Sequence, residues 1–66
     1  MENNLRVIRK LKKLTLIQLA AKSGIGKSTL SQLENEVNSP ELKTAYAVAN
    51  ALRVSVLSIW PNDKGE

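Results

Sequence analysis

Apolar residues recur along this chain at intervals of three and four and nowhere alternate over a sustained stretch, a pattern that predicts helices and no strands. Five short helices follow. The first runs from about Asn4 to Lys12, with Leu5, Ile8 and Leu11 spaced by three, and ends near Lys13 and Leu14. Thr15 reads as the N-cap of a second helix, because its hydroxyl can accept a hydrogen bond from an amide that has no helical partner, and Gln18 stands where a capping box places its second member. Leu16, Leu19, Ala20 and Ser23 share a face of that helix, and Gly24, free to take the left-handed conformation, stops it.

Gly26 and Lys27 restart the chain as a third helix over 27–36, in which Leu30, Leu33 and Val37 form an apolar stripe. Ser28, Ser31, Gln32 and Asn35 fall nearly opposite, so this helix presents one face to a core and a short-chained, polar face to something outside. "VNSP" reads as a loop. "ELKTAYAVANAL" is the fourth helix, with Leu42, Ala45, Ala49 and Leu52 as its buried stripe, and Ser55 caps a short fifth helix carrying Val56, Ile59 and Trp60 that Pro61 terminates. The folded core is expected over about 4–60, with 61–66 as a disordered tail. The fold class is therefore all-α, one compact five-helix domain.

Composition narrows the chemistry. A chain of 66 residues is one small domain, and with no cysteine and no histidine it lacks disulfides, most structural zinc sites and the commonest nucleophiles and bases. Neither a catalytic site nor a metal or cofactor is expected. No apolar run is long enough to span a bilayer or act as a secretion signal, so a cytoplasmic location is expected and no membrane role. Charge is polarised: residues 1–27 hold Arg6, Arg9, Lys10, Lys12, Lys13, Lys22 and Lys27 against Glu2 alone, whereas residues 28–66 are slightly acidic. Such a distribution concentrates polyanions near the first half of the chain.

"GIGKST" invites comparison with a phosphate-binding loop, but that motif requires a glycine five residues before Gly26, where Ala21 stands. The preceding "LTLIQLAAK" also has the spacing of an amphipathic helix rather than a buried strand. Two helices joined by a tight turn at "SGIG", the second with an exposed polar face, match helix-turn-helix geometry instead. At this point the chain resembles the Cro/C1-type helix-turn-helix regulators, also called the XRE family, over residues 5–60. The resemblance rests on Leu5, Ile8-Arg9, Leu14-Thr15, Leu19-Ala20, Gly24-Ile25, Ser28-Thr29-Leu30, Leu33-Glu34-Asn35, Pro40, Leu42, Ala49, Leu52 and Val54-Ser55.

The resemblance implies a lambda-repressor-like DNA-binding domain whose helix 27–36 enters the major groove of double-stranded DNA. Carried over by position, Lys27, Ser28, Ser31 and Gln32 are the candidates for base contacts. Their chemistry agrees, since Gln32 can donate and accept at an adenine edge and Lys27 can reach guanine acceptors or a phosphate. Thr15, Gln18, Thr29, Asn35, Lys10, Lys13 and Lys43 are candidates for the DNA backbone, where contacts add salt dependence but no sequence information. Lys12 and Lys22 are further basic candidates there. Arg9 and Glu34 match positions that commonly form a structural ion pair. The implied function is a dimeric repressor on a palindromic operator, with Val7, Leu57 and Trp60 as dimer surface or, for Trp60, as part of the domain's own core.

Several residues depart from the family pattern. Leu16 replaces a glutamine that approaches the DNA backbone, and Ile17 follows at a usually polar position, so the pair either leaves an apolar spot beside the DNA face or packs inward. Lys13 stands where glycine commonly closes the first helix, requiring a lysine at positive φ or a different turn. Gly26 replaces the usual serine or threonine cap. The alternative is a protein-binding domain that contacts a toxin or another repressor through Leu16 and Ile17. With no second domain expected, control would come through concentration, a partner or proteolysis.

Overall fold

A computed structural model describes residues 3–37 and 39–61; the expected tail beyond Pro61 and one residue of the "VNSP" loop lie outside the described residues. The described residues form five helices: α1 (Leu5–Leu11), α2 (Leu16–Ser23), α3 (Lys27–Glu34), α4 (Leu42–Leu52) and α5 (Val56–Ile59). Packing joins α1 to α3, α2 to both α3 and α4, and α4 to α5. The chain closes on itself where the Asn4 amide donates to the Ile59 carbonyl at 2.8 Å and the Asn4 side-chain amide to the Ser58 carbonyl at 3.1 Å.

The core consists of Leu5, Leu19, Leu30, Leu33, Ala45, Val48, Ala49, Leu52, Ile59 and Trp60, with Ile8, Leu14, Leu16, Ile25, Val54 and Val56 packed around it. Full burial of one such leucine stabilises the fold by about 1.5–3 kcal/mol, and each helix supplies at least one core side chain. Trp60 thus belongs to the domain's own core, only 5% exposed.

Three apolar positions behave differently from the expected stripes. Leu42 is exposed because it is the first residue of α4, on the edge of a buried face centred on Ala45, Val48, Ala49 and Leu52. Leu11 is exposed because the buried face of α1 centres on Leu5 and Arg9, and six residues of helix carry Leu11 about 120° from Leu5. Val37 is exposed because α3 ends at Glu34, two residues short of the expected 27–36, and Glu36 at φ 62° breaks the helical progression that would have aligned Val37 with Leu33.

The helix ends explain these boundaries. Thr15 and Gln18 form the expected capping box: the Gln18 amide donates to Thr15 Oγ1 at 3.1 Å and the Thr15 amide donates to Gln18 Oε1 at 2.8 Å. Ser55 accepts from the Ser58 amide at the start of α5. At the start of α1 the N-cap Asn4 makes no side-chain cap, and Asn3 Oδ1 instead accepts from the Leu5 amide at 2.9 Å. Gly24 closes α2 at φ 76°.

Helices α1, α3 and α4 end in turns of one kind, with Lys13, Glu36 and Arg53 each at φ near 60°. Around Lys13, its amide donates to Lys10 and the Leu14 amide donates to the Arg9 carbonyl, the paired bonds of a Schellman turn; Glu36 and Arg53 repeat the pattern. A side chain with a Cβ is strained there, and Arg53 is exposed, with no side-chain hydrogen bond described for it. Arg53→Gly is therefore expected to stabilise the domain by about 0.5–1 kcal/mol, raising the thermal midpoint by a few degrees. An unchanged or lower midpoint in a melting curve would show that the arginine makes compensating contacts.

Candidate nucleic-acid interface

The connection between α2 and α3 is short and internally tied. After Gly24 turns the chain, Ser23 Oγ accepts from the Ile25 amide at 3.1 Å, Ile25 packs toward the core, and Gly26 starts α3 in extended conformation. Gly26 has a φ of −60°, and a Cβ there would meet nothing closer than Thr29 Oγ1 at 3.9 Å, so glycine is not required; α3 simply begins without a side-chain cap. Leu30 and Leu33 anchor α3 in the core and turn the other side of the helix outward.

On that outer side, Lys27, Ser28, Ser31 and Gln32 line one open groove of about 430 Å³. All four residues expected to touch bases are thus brought together, Ser31 half-buried and the other three exposed. The fifth lining residue is Leu16, from the first turn of α2. Lys27 puts a cation at the rim and the serines and Gln32 supply donors and acceptors, so the groove can meet both an anionic backbone and the hydrogen-bonding edges of bases. A helix with its side chains is about 10–12 Å across, which matches the roughly 12 Å width of the major groove of B-DNA.

The residues expected on the backbone are more dispersed. Thr29 faces a second groove of about 460 Å³ shared with Gln32, Leu33, Ser39, Pro40, Glu41 and Thr44, between α3 and the start of α4. Lys10, Lys13 and Lys43 are exposed, on the last turn of α1, in the turn after it and on the first turn of α4. Thr15 and Gln18 are exposed, but their oxygens are engaged in the capping box, which leaves the Gln18 amide nitrogen as its group for a phosphate. Asn35 caps the end of α3, and its Oδ1 accepts from Arg6 Nη2 at 2.8 Å.

Between α1 and α3, Arg9 and Glu34 are buried and joined by two hydrogen bonds, Nε to Oε2 and Nη2 to Oε1. Arg9 Nη1 also donates to the Leu14 carbonyl at 2.7 Å, so one guanidinium ties α1, the turn before α2 and α3 together. Arg6 adds a contact from Nε to Glu34 Oε1 at 3.2 Å. Burial by itself pushes the Glu34 carboxyl up, but hydrogen bonds from Arg9 and Arg6 outweigh it and hold the group below the ordinary glutamate range. The same bond to Glu34 raises Arg9 further, so the pair is fully ionised near neutral pH.

Sequence reasoning found Arg9 and Glu34 and missed the clamp around them. Arg6 stands three residues before Arg9, on neighbouring helical positions, and that spacing was a usable signal for a second cation on Glu34. Asn3 carried no such signal: its side-chain amide donates to the Leu33 carbonyl at 2.7 Å, satisfying the end of α3 from 30 residues away. Among the described residues, no acidic cluster could hold a metal ion, and no helix is long and apolar enough to cross a membrane.

Comparison with known proteins agrees with this geometry. A family model described as "Helix-turn-helix" matches residues 5–59. The immunity repressor protein of Bacillus phage phi105 is 42% identical over 55 residues, which cover 83% of this chain and 38% of that protein. The chain therefore spans under two fifths of the length of this relative.

Proposed function

The chain belongs to the Cro/C1-type helix-turn-helix family of DNA-binding regulators, and from that membership we propose that it is a sequence-specific transcriptional repressor that reads the major groove of a palindromic operator with α3. The observation that carries this reading is the convergence of Lys27, Ser28, Ser31 and Gln32 on a single open groove. Lys27 serves the backbone or a guanine, Gln32 an adenine edge, and the serines fit against the groove wall. Thr15, Gln18, Thr29, Asn35, Lys10, Lys13 and Lys43 hold the register on phosphates. The similarity to a protein named an immunity repressor favours repression over activation.

Two copies on a palindrome would place their α3 helices roughly 34 Å apart, one helical turn of DNA. Val7 and Leu57 remain exposed apolar candidates for the surface between copies, at 60% and 62%. Leu42 joins them, on a shallow groove of about 250 Å³ with Pro40, Ala45, Val56 and Trp60. Association through such a surface would couple domain stability to protein concentration.

Selection from random duplex DNA tests the proposal, followed by titration of the selected site at several salt concentrations. A palindromic consensus bound by two chains, with affinity falling steeply as salt rises, is the expected result. Lys27→Ala should weaken binding and, if Lys27 reaches a phosphate, flatten the slope of log K against log salt by about 0.9. Failure to enrich any sequence over random DNA would overturn the assignment.

A further inference from the structure

Leu16 is the one aliphatic side chain in a groove otherwise lined by Lys27, Ser28, Ser31 and Gln32, and it comes from α2 rather than from α3. Its position is fixed from two sides. The capping box at Thr15 and Gln18 holds the first turn of α2, and Leu16 is half-buried, packed against the core. Its exposed part therefore cannot retreat, and it forms an apolar wall on a surface whose other members are polar. Resting on the proposed reading of this face, we propose that Leu16 is a specificity-determining residue that receives the C5-methyl group of a thymine.

The occupant follows from complementarity. Lys27 on the same groove favours a polyanion, and among the base edges of the major groove the only apolar projection is the thymine methyl. The polar groups presented there are hydrogen-bond donors or acceptors, and leucine can satisfy none of them. A methyl group seated against Leu16 leaves water, whereas a cytosine at that place offers no methyl group to bury. Leu16 thus makes α2 a reader of sequence as well as a support for α3, and it favours thymine at one position beside the bases contacted by Lys27 and Ser28.

Replacing each thymine of the selected operator in turn by deoxyuridine removes only the methyl group. One thymine in each half-site is expected to be sensitive, with affinity falling about three- to fivefold on loss of a buried methyl. Against Leu16→Ala that same replacement should have no effect, while replacements elsewhere act as in the unaltered protein. Leu16→Met, which keeps an apolar chain of similar volume, should retain the sensitivity, and it provides the comparison if the alanine variant melts too low to titrate. A consensus in which no thymine is methyl-sensitive would overturn the role of Leu16 and leave the DNA-binding assignment standing, as would a sensitivity that Leu16→Ala does not remove. Selection that returns no consensus would sink both.

Discussion

Glu34→Ala is expected to remove between about a third of the domain's stability and all of it. The carboxylate side chain is 2% exposed and receives hydrogen bonds from Arg9 and Arg6, and its loss strands the Arg9 guanidinium, itself 11% exposed, without its counter-charge. Removing one member of a buried pair typically costs about 3–5 kcal/mol. A domain of this size has a total stability of only about 3–10 kcal/mol, so the change consumes from about a third to all of it. Arg6 cannot compensate, because it is a second cation that loses the same partner. The readout is the midpoint of denaturant unfolding followed by circular dichroism. A loss below about 1 kcal/mol would mean that the pair is solvated and does not organise the fold. Replacing both partners, Arg9→Met with Glu34→Leu, should recover much of the stability, since the cost lies in the stranded charge rather than in the absence of the bridge.

The same carboxylate sets the response to acid. Its folded pKa lies below its unfolded one, so the stabilisation is complete above the unfolded value of roughly 4.3 and is lost as pH falls through the lower folded value. Between neutral pH and about pH 5 the pair contributes a constant amount.

Five helices and their order could be read from the sequence because each has an apolar stripe of period 3.6 and most have a readable start or stop: the Thr15–Gln18 box, Gly24, Ser55 and Pro61. What misled were ends whose signal is absent. Glu36 and Arg53 occupy left-handed positions that no glycine announces, so the spacing carries α3 two residues too far and puts Val37 in a stripe it never joins, whereas the positive φ of Lys13 is one of the two turns that the family resemblance implies. Leu42 shows the complementary error, because periodicity orders residues around a helix but says nothing about which part of its length another element covers. The grouping of Ser28, Ser31 and Gln32 follows from helical geometry within a single element, and Lys27 joins them through the family resemblance. The arrival of Leu16 among them depended on the angle between α2 and α3, which no spacing within either helix encodes.

Gln32→Ala is the substitution expected to separate sequence reading from plain electrostatic attachment. Gln32 is exposed on α3, lines both grooves that flank its outer side, and can present a donor and an acceptor together to the N6 and N7 edge of adenine. Loss of such a paired contact costs about 1–3 kcal/mol, or roughly five- to 150-fold in affinity for the preferred site. Alanine is the better helix former and Gln32 is outside the core, so the fold should survive and thermal stability should hardly change. Affinity for random duplex DNA should also stay within about twofold, because a neutral side chain releases no counterions, and the salt slope should match that of the unaltered domain. Lys27→Ala has the opposite signature if its ammonium meets a phosphate: a flatter slope and an equal loss on every sequence. Should Gln32→Ala instead weaken preferred and random DNA alike, Gln32 would be a backbone contact, and the reading of adenine would have to move to another residue of α3.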